Sequence, residues 1–221
     1  MPPVRPGRAQ RIIEGVTPAT SAPDDSGLVD DLEHKGWSVA PGWLSPRLVA
    51  SLAGEIRRER AAGAFRSAGV GRERRVATAV RGDEILWLDE ASASPAQRIV
   101  LESFERLRAA VNRELQLGAV ELELHFAIYP AGGAYAVHVD RFRDADARVL
   151  SLVLYLNEAW DEADGGELRL HLGAGAPFID VVPRGGTLVV FLSDRFPHEV
   201  LPARRERLSL AGWFRRRALD G

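Results

Sequence analysis

From Val120 to Tyr129 the chain alternates without a break. Leu122, Leu124, Phe126 and Ile128 fall on one face, and Glu121, Glu123, His125, Ala127 and Tyr129 on the other. Successive side chains of a strand point to opposite sides, so a strand with one apolar and one mixed face is predicted here. Seven more short strands are expected after it, at 134–139, 148–156, 167–172, 178–182, 186–192, 197–201 and 206–216. Turn-forming runs separate them: Asp164-Gly-Gly166, Gly173-Ala-Gly175 and Pro183-Arg-Gly-Gly186.

The N-terminal half reads differently. Residues 1–23 mix Pro, Arg, Ala and Thr without apolar periodicity, and a flexible tail is expected there. A helix is predicted from about Asp24 to Lys35, capped by Asp24, Asp25 and Ser26 and stopped by Gly36. Trp37 to Ala40 reads as a strand. Ser45 is a natural N-cap for a helix with Pro46 in its first turn, running to about Ala62. On it Leu48, Leu52 and Ile56, with Leu44, form an apolar stripe, and Arg57, Arg58, Glu59 and Arg60 are expected in water. Gly63 to Gly82 holds four glycines and five arginines, which predicts a long mobile loop of the kind that serves as a lid. Glu84 to Leu88 resumes as a strand. The next helix is expected from about Ser94 to Leu115, with Ile99, Leu101, Phe104, Leu107, Val111 and Leu115 toward a core. The fold class implied is α+β, mainly β: a two-sheet β-sandwich or jelly roll with N-terminal helices supporting one sheet, in a single domain over 24–221.

His138 and Asp140 are two residues apart in the stretch YPAGGAYAVHVD, and in an extended strand they project to the same side. Such a pair can occupy adjacent positions on one metal ion. The chain has no cysteine, so a metal here must be held by His, Asp, Glu or backbone oxygen. His198, in FPHEV, is the best third ligand. Two histidines and a carboxylate on one face of an octahedral ion leave the other face open, as in non-haem Fe(II) oxygenases. Taken alone, a His and an Asp near a strand end are more often polar partners than ligands. Arg207, nine residues after His198, heads a strand on which Arg207, Ser209, Ala211 and Trp213 share a face. An arginine aimed into an enclosed site needs an anion, and its planar fork matches a carboxylate; a structural salt bridge is the alternative.

With 29 basic and 31 acidic residues the net charge is −2, which gives no general drive toward nucleic acid or anionic membrane. No apolar leader and no spanning run are evident in the sequence, and the cytoplasm is the expected compartment.

Taken together, RGDEILWL (81–88), YP…GGAY…HVD (129–140), YLNEAW (155–160), GGELRL (165–170), SDRFPHEV (193–200) and RLSLAGWF (207–214) resemble the Fe(II)/2-oxoglutarate-dependent prolyl hydroxylases, and most closely the bacterial relatives of the hypoxia-inducible-factor enzymes. The resemblance spans roughly residues 26–216. It implies a double-stranded β-helix. It also implies that Fe(II) is bound by His138, Asp140 and His198, and that O2 and 2-oxoglutarate are co-substrates, with ascorbate as a support for turnover. Arg207 would pair with the distal carboxylate of 2-oxoglutarate, assisted by the hydroxyls of Tyr129 and Tyr155. Collagen-type enzymes carry lysine at that position, so arginine favours the hypoxia-type branch. Tyr135, Trp213, Arg148, Arg81 and Asp83 match substrate-side positions, the last two at the base of a loop that folds over bound peptide. His125, sharing a face with Tyr129, is expected to border the co-substrate. Trp87 and Trp160 are assigned to packing, and His34 and His171 to the surface. The activity implied is hydroxylation of a prolyl residue in a protein. The competing readings are the same chemistry on a small molecule, such as free proline or a lipid, and a non-catalytic metal-binding sensor module.

Overall fold

The structure is a computed structural model and describes residues 25–68, 81–140, 147–173 and 177–217. The expected tail and residues 69–80 of the expected lid lie outside these, as do Asp24 of the first cap and residues 174–175 of one turn. In chain order the elements are α1 (Ser26–Lys35), β1 (Trp37–Ala40), α2 (Pro46–Ala61), β2 (Arg66–Ser67), β3 (Glu84–Trp87), α3 (Pro95–Leu115), β4 (Glu121–Tyr129), β5 (Tyr135–His138), β6 (Arg148–Tyr155), β7 (Leu168–His171), β8 (Phe178–Val181), β9 (Leu188–Leu192), β10 (His198–Val200) and β11 (Arg207–Arg215).

Local chemistry sets the helix ends. Gly36 takes φ +81 at the end of α1, a left-handed conformation open to glycine, and its N–H donates to the Leu32 carbonyl. At the other end Asp25 holds the N-cap position without capping. Its carboxylate accepts instead from the Trp43 indole at 3.1 Å, a partner 18 residues away that no local pattern announces. Ser45 caps α2 by accepting from the Leu48 N–H. Ser94 and Gln97 exchange hydrogen bonds in a capping box at the start of α3. On α3 the core-facing phase is Ala96, Val100, Phe104, Leu107 and Val111, whereas Ile99, expected inward, is 44% exposed. Arg60 also departs from expectation. It is half-buried and pairs with both Glu84 and Glu206, tying the end of α2 to β3 and to the turn before β11.

Two antiparallel sheets form. The larger has seven strands in the order β1-β9-β6-β11-β4-β3-β2, and the smaller has four in the order β5-β10-β7-β8. Alternation divides the residues of the large sheet between two apolar clusters. Leu124, Phe126, Ile128, Leu150, Leu152, Leu154, Leu208, Leu210 and Phe214 face the helices and meet Leu52, Ile56, Val100, Phe104 and Leu107. Ala127, Tyr129, Tyr155, Val189 and Phe191 face the small sheet and meet Leu168, Leu170, Ile179, Val181 and Val200. Each large apolar side chain so removed from water contributes roughly 1.5–3 kcal/mol. The layers are therefore helices, large sheet, small sheet. This is the jelly roll with N-terminal helical support that the strand pattern predicts.

β11 lies between β4 and β6, and Gly212 at its middle leaves no room for a side chain. A Cβ there would sit 1.9 Å from the Glu123 carbonyl oxygen and 2.8 Å from Leu124 Cδ2. With strands on both sides the backbone has nowhere to retreat. Gly212→Ala is expected to cost on the order of 3 kcal/mol, read as a lower midpoint in denaturant unfolding.

Candidate active site

β5 and β10 are neighbours in the small sheet, and their register makes His138 and His198 direct cross-strand partners. Partners of this kind point to one face with close Cβ atoms. Asp140, two residues beyond His138, joins them, and the potential ligand atoms of the three lie within 4.8 Å of one another. Asp140 Oδ1 is 3.6 Å from His138 Nε2, and Oδ2 is 3.6 Å from His198 Nε2. The tautomers follow from the backbone. His138 Nδ1 lies 2.8 Å from the Ala136 carbonyl and His198 Nδ1 lies 3.1 Å from that of Phe196. A carbonyl can only accept, so each Nδ1 carries the proton and each Nε2 presents its lone pair toward Asp140.

The carboxylate is equally constrained. Ser151 on β6 donates to Asp140 Oδ2 at 2.6 Å and shares a hydrogen bond with Ser193. Burial alone would raise the Asp140 pKa, but His198 and His138 in their protonated forms, and the Ser151 hydroxyl throughout, outweigh it and hold the carboxyl well below the usual range, so it is anionic before either imidazole loses its proton. Burial lowers the pKa of His198 against the opposing pull of Asp140, which keeps the imidazole neutral and able to ligate. Two neutral nitrogens and one anionic oxygen, with no thiolate, suit Fe(II) in a facial arrangement. The donor set fits the metal.

A second cluster lies at one end of the large sheet. Arg207 opens β11 directly opposite Tyr129 at the end of β4, and Tyr155 ends β6 opposite Ser209. Arg207 is 1% exposed. Its Nε donates to the Gly166 carbonyl at 2.9 Å and Nη1 reaches Ser209 at 3.5 Å, while among the described residues neither Nη2 nor the Tyr155 hydroxyl meets a hydrogen-bond partner. The Tyr129 and Tyr155 rings flank the guanidinium at 5.2 and 5.1 Å. Among the described residues no carboxylate pairs with Arg207, so the structural salt bridge considered above is not found. Burial pushes the Tyr155 hydroxyl up to about 12 despite the opposing arginine, and it remains a donor. Burial likewise raises the Tyr129 hydroxyl. A buried cation with one unmet N–H pair beside a protonated phenol has the chemistry to receive a carboxylate.

The expected substrate-side residues form the remaining wall. Arg81 and Asp83 make a bidentate pair at 2.6 and 2.9 Å, with Asp83 buried. The Arg81 guanidinium lies 4.8 Å over the Tyr135 ring, which in turn stacks on His138 at 3.7 Å. Arg148 stacks on Trp213 at 3.6 Å and donates to the Asp140 carbonyl. His125 is buried among tryptophans, 5.0 Å from Trp87 and 5.5 Å from Trp213. It sits opposite Ala211, four residues and so about 13 Å along the strand from Arg207. The structure thus sets it on the tryptophan side, away from the Arg207 corner. Trp160 is packed, as expected, its indole donating to the Gly165 carbonyl. Trp87 is not: it is 44% exposed and covers His125. His34 is exposed, whereas His171 is part-buried and contacts Glu199 at 3.1 Å.

Sequence reasoning missed Ser151, Ser193 and Asn157. Asn157 accepts from the Leu208 N–H at 2.6 Å and donates to the Pro183 carbonyl at 2.7 Å, fixing the strand ends that carry Tyr155 and Arg207. Ser151 did leave a trace, as a hydroxyl on the Tyr155 face of an otherwise apolar strand.

Comparison with known proteins agrees with this geometry. Residues 124–215, from β4 to β11, match the family described as the 2OG-Fe(II) oxygenase superfamily. A prolyl-4-hydroxylase of Pseudomonas putida is 49% identical, with a TM-score of 0.79, over 87% of this chain and 98% of that one. A prolyl hydroxylase of Trichoplax adhaerens, solved with a hypoxia inducible factor oxygen degradation domain peptide fragment, is 25% identical with a TM-score of 0.78, over 85% of this chain and 87% of that one. The hypoxia-inducible factor prolyl hydroxylase of Caenorhabditis elegans is 31% identical over 201 residues, 85% of this chain but 27% of that protein. This chain therefore spans little more than a quarter of that curated relative. With its metal donors, its buried arginine and a solved relative matched over nearly its whole length, the chain belongs to the prolyl hydroxylase family of 2OG-Fe(II) oxygenases.

Proposed function

We propose that this protein is an Fe(II)- and 2-oxoglutarate-dependent dioxygenase that hydroxylates a prolyl residue of a protein or peptide, with succinate and carbon dioxide as co-products. The observation that carries the reading is the pairing of two complementary sites in one inter-sheet space. One is the His138, Asp140 and His198 donor set, and the other is the unpaired cation of Arg207 with Tyr155 beside it. A metal site alone would not call for the second, and a structural arginine would not be left unpaired.

Each residue then has a defined task. His138 and His198 supply neutral nitrogens whose direction is set by the carbonyls of Ala136 and Phe196. Asp140 supplies the negative charge, oriented by Ser151. Arg207 binds the distal carboxylate of 2-oxoglutarate through its unmet N–H groups, and Tyr155 donates alongside it. When bound, iron with 2-oxoglutarate and dioxygen supplies the oxidative chemistry: the keto acid loses carbon dioxide to become succinate, and one oxygen atom enters a substrate C–H bond. Tyr135 and Trp213 wall the substrate side beside the metal donors and exclude water, with Arg148 and the Arg81–Asp83 pair holding the two rings in place. The prolyl hydroxylases among the relatives support a peptide substrate.

Incubating the protein with Fe(II), 2-oxoglutarate and a set of proline-containing peptides under air should release succinate and add one oxygen mass to a peptide, located on proline by fragmentation. Oxygen gain on free proline or another metabolite, with none on any peptide, would move the reading to a small-molecule substrate.

A further inference from the structure

We infer that His125 is a substrate-binding residue that hydrogen-bonds a main-chain amide of the peptide, the one following the prolyl residue to be hydroxylated. The inference rests on the peptide reading above. It starts from a cluster of polar atoms with nothing to do. His125 is 2% exposed, and neither Nδ1 nor Nε2 has a hydrogen-bond partner among the described residues. The indole Nε1 of Trp213, whose ring stacks on His125 at an interplanar angle of 29°, has none either. Nearly all buried polar groups in folded proteins are paired, by protein or by water. Three unmet groups on two adjoining rings point to something that arrives from outside.

The surroundings narrow what arrives. His125 lies on the face of β4 that looks toward the small sheet, with small Ala211 as its register partner on β11 and Trp87 on β3. Trp87 is partly open to solvent and Trp213 is buried, so the rings form a wall running from solvent inward. At its inner end Arg148 stacks on Trp213 and bonds to the Asp140 carbonyl, which connects the wall to the metal donors. His125 is not itself one of the atoms clustered around the metal position. It is also about 13 Å along the strand from the arginine that receives the keto acid. The peptide is what remains.

The protonation state fixes the pattern that a ligand must meet. Burial, followed by the nearby Arg81 charge, pushes the His125 pKa down to about 4, with Asp83 and Asp140 opposing and Arg148 adding to the shift. The ring is therefore neutral near pH 7 and carries one donor and one acceptor. Trp213 adds a second donor. A main-chain amide presents one carbonyl acceptor and one N–H donor in a single plane. The amide that follows a prolyl residue retains both, because its N–H belongs to the next residue, and it lies immediately beside the prolyl ring.

The test uses the iron-loaded enzyme and a peptide that it hydroxylates, with two variants and one modified substrate. His125→Leu should raise the peptide KM about tenfold or more and leave the 2-oxoglutarate KM within about twofold. His125→Gln, which restores a donor and an acceptor, should recover most of the loss. N-methylating the amide after the target proline should impair the wild type about tenfold and His125→Leu hardly at all, as expected of two changes that remove one contact. Independently of turnover, the metal-free His125→Leu protein should melt no lower than the wild type, because it removes unmet polar atoms from a buried position. Normal peptide turnover by His125→Leu, equal loss on N-methylation in both proteins, a shift confined to the 2-oxoglutarate KM, or a lower melting temperature would each overturn the amide assignment alone. Failure of the wild type to oxidise any prolyl peptide would overturn the peptide reading and this assignment with it.

Discussion

Asp140→Ala is expected to abolish succinate formation, by about a thousandfold or more, while the protein remains folded. Among the described residues Asp140 is the only anionic member of the donor set, and the side chain hydrogen-bonded to its Oδ2 is the Ser151 hydroxyl, a donor already committed to the carboxylate. Loss of a group that merely orients a ligand typically costs 10–100-fold in metal affinity, so loss of the charged ligand itself should cost more. The variant leaves His138 and His198 with ring centroids 4.2 Å apart and no negative charge between them to balance a divalent ion. Folding should survive because the two strands that carry the histidines are joined by backbone pairing that does not involve the carboxylate. Calorimetric titration with Mn(II) as an oxygen-stable probe should show binding in the wild type and none in the variant at matched concentration. Near-normal succinate release by purified Asp140→Ala would remove the metal assignment, and with it the proposed reaction.

How much of this was legible in the sequence varies with the reach of each interaction. The two faces of β4 were readable because alternation is a local property of ten residues, and His138 and Asp140 were readable because a spacing of two puts them on one side. That His198 faces His138 depends on the register of β5 against β10, which no single segment encodes; motif order supplied it instead. Arg207 was legible at the head of an alternating strand, and the resemblance implied its role, but that its charge is unpaired emerged only from the structure. Misjudged residues share a cause. Ile99 and Val100 are adjacent and equally apolar, and a small rotation of α3 decides which is buried. Arg60 follows Arg57, Arg58 and Glu59 in a uniformly charged run, yet the last turn of α2 aims it at Glu84 and Glu206 from two distant segments. Trp87, expected to be packed, lies on β3 near the edge of the large sheet, and that place leaves it open to solvent. Ser151 and Ser193 matter only because of the carboxylate they stand beside.

Arg207→Met should raise the melting temperature of the ligand-free protein and at the same time remove its response to 2-oxoglutarate. In the absence of a diacid the guanidinium is 1% exposed and has no carboxylate partner among the described residues. Removing it leaves the Gly166 carbonyl without its Nε donor, a cost of about 1–3 kcal/mol for an unmet buried acceptor. Against this stands the penalty of holding an uncompensated ion out of water, which is several kcal/mol even after relaxation. The second effect is larger, and methionine fills a comparable volume with an unbranched, adaptable chain. A net gain of about 1–2 kcal/mol would appear as a rise of a few degrees in a domain of this size. Binding should move the opposite way, since truncating one member of a buried charge pair costs about 2–5 kcal/mol, or roughly 30- to several-thousandfold in affinity. Saturating 2-oxoglutarate with Mn(II) at a hundred times its dissociation constant should stabilise the wild type by about 2.7 kcal/mol. In the variant only the metal contribution should remain. If Arg207→Met melts below the wild type without ligand and still gains stability from 2-oxoglutarate, then Arg207 is a structural cation and the carboxylate site lies elsewhere. The opposed signs matter because a residue selected for packing cannot give both: only a cation held ready for an incoming anion weakens the empty fold and strengthens the loaded one.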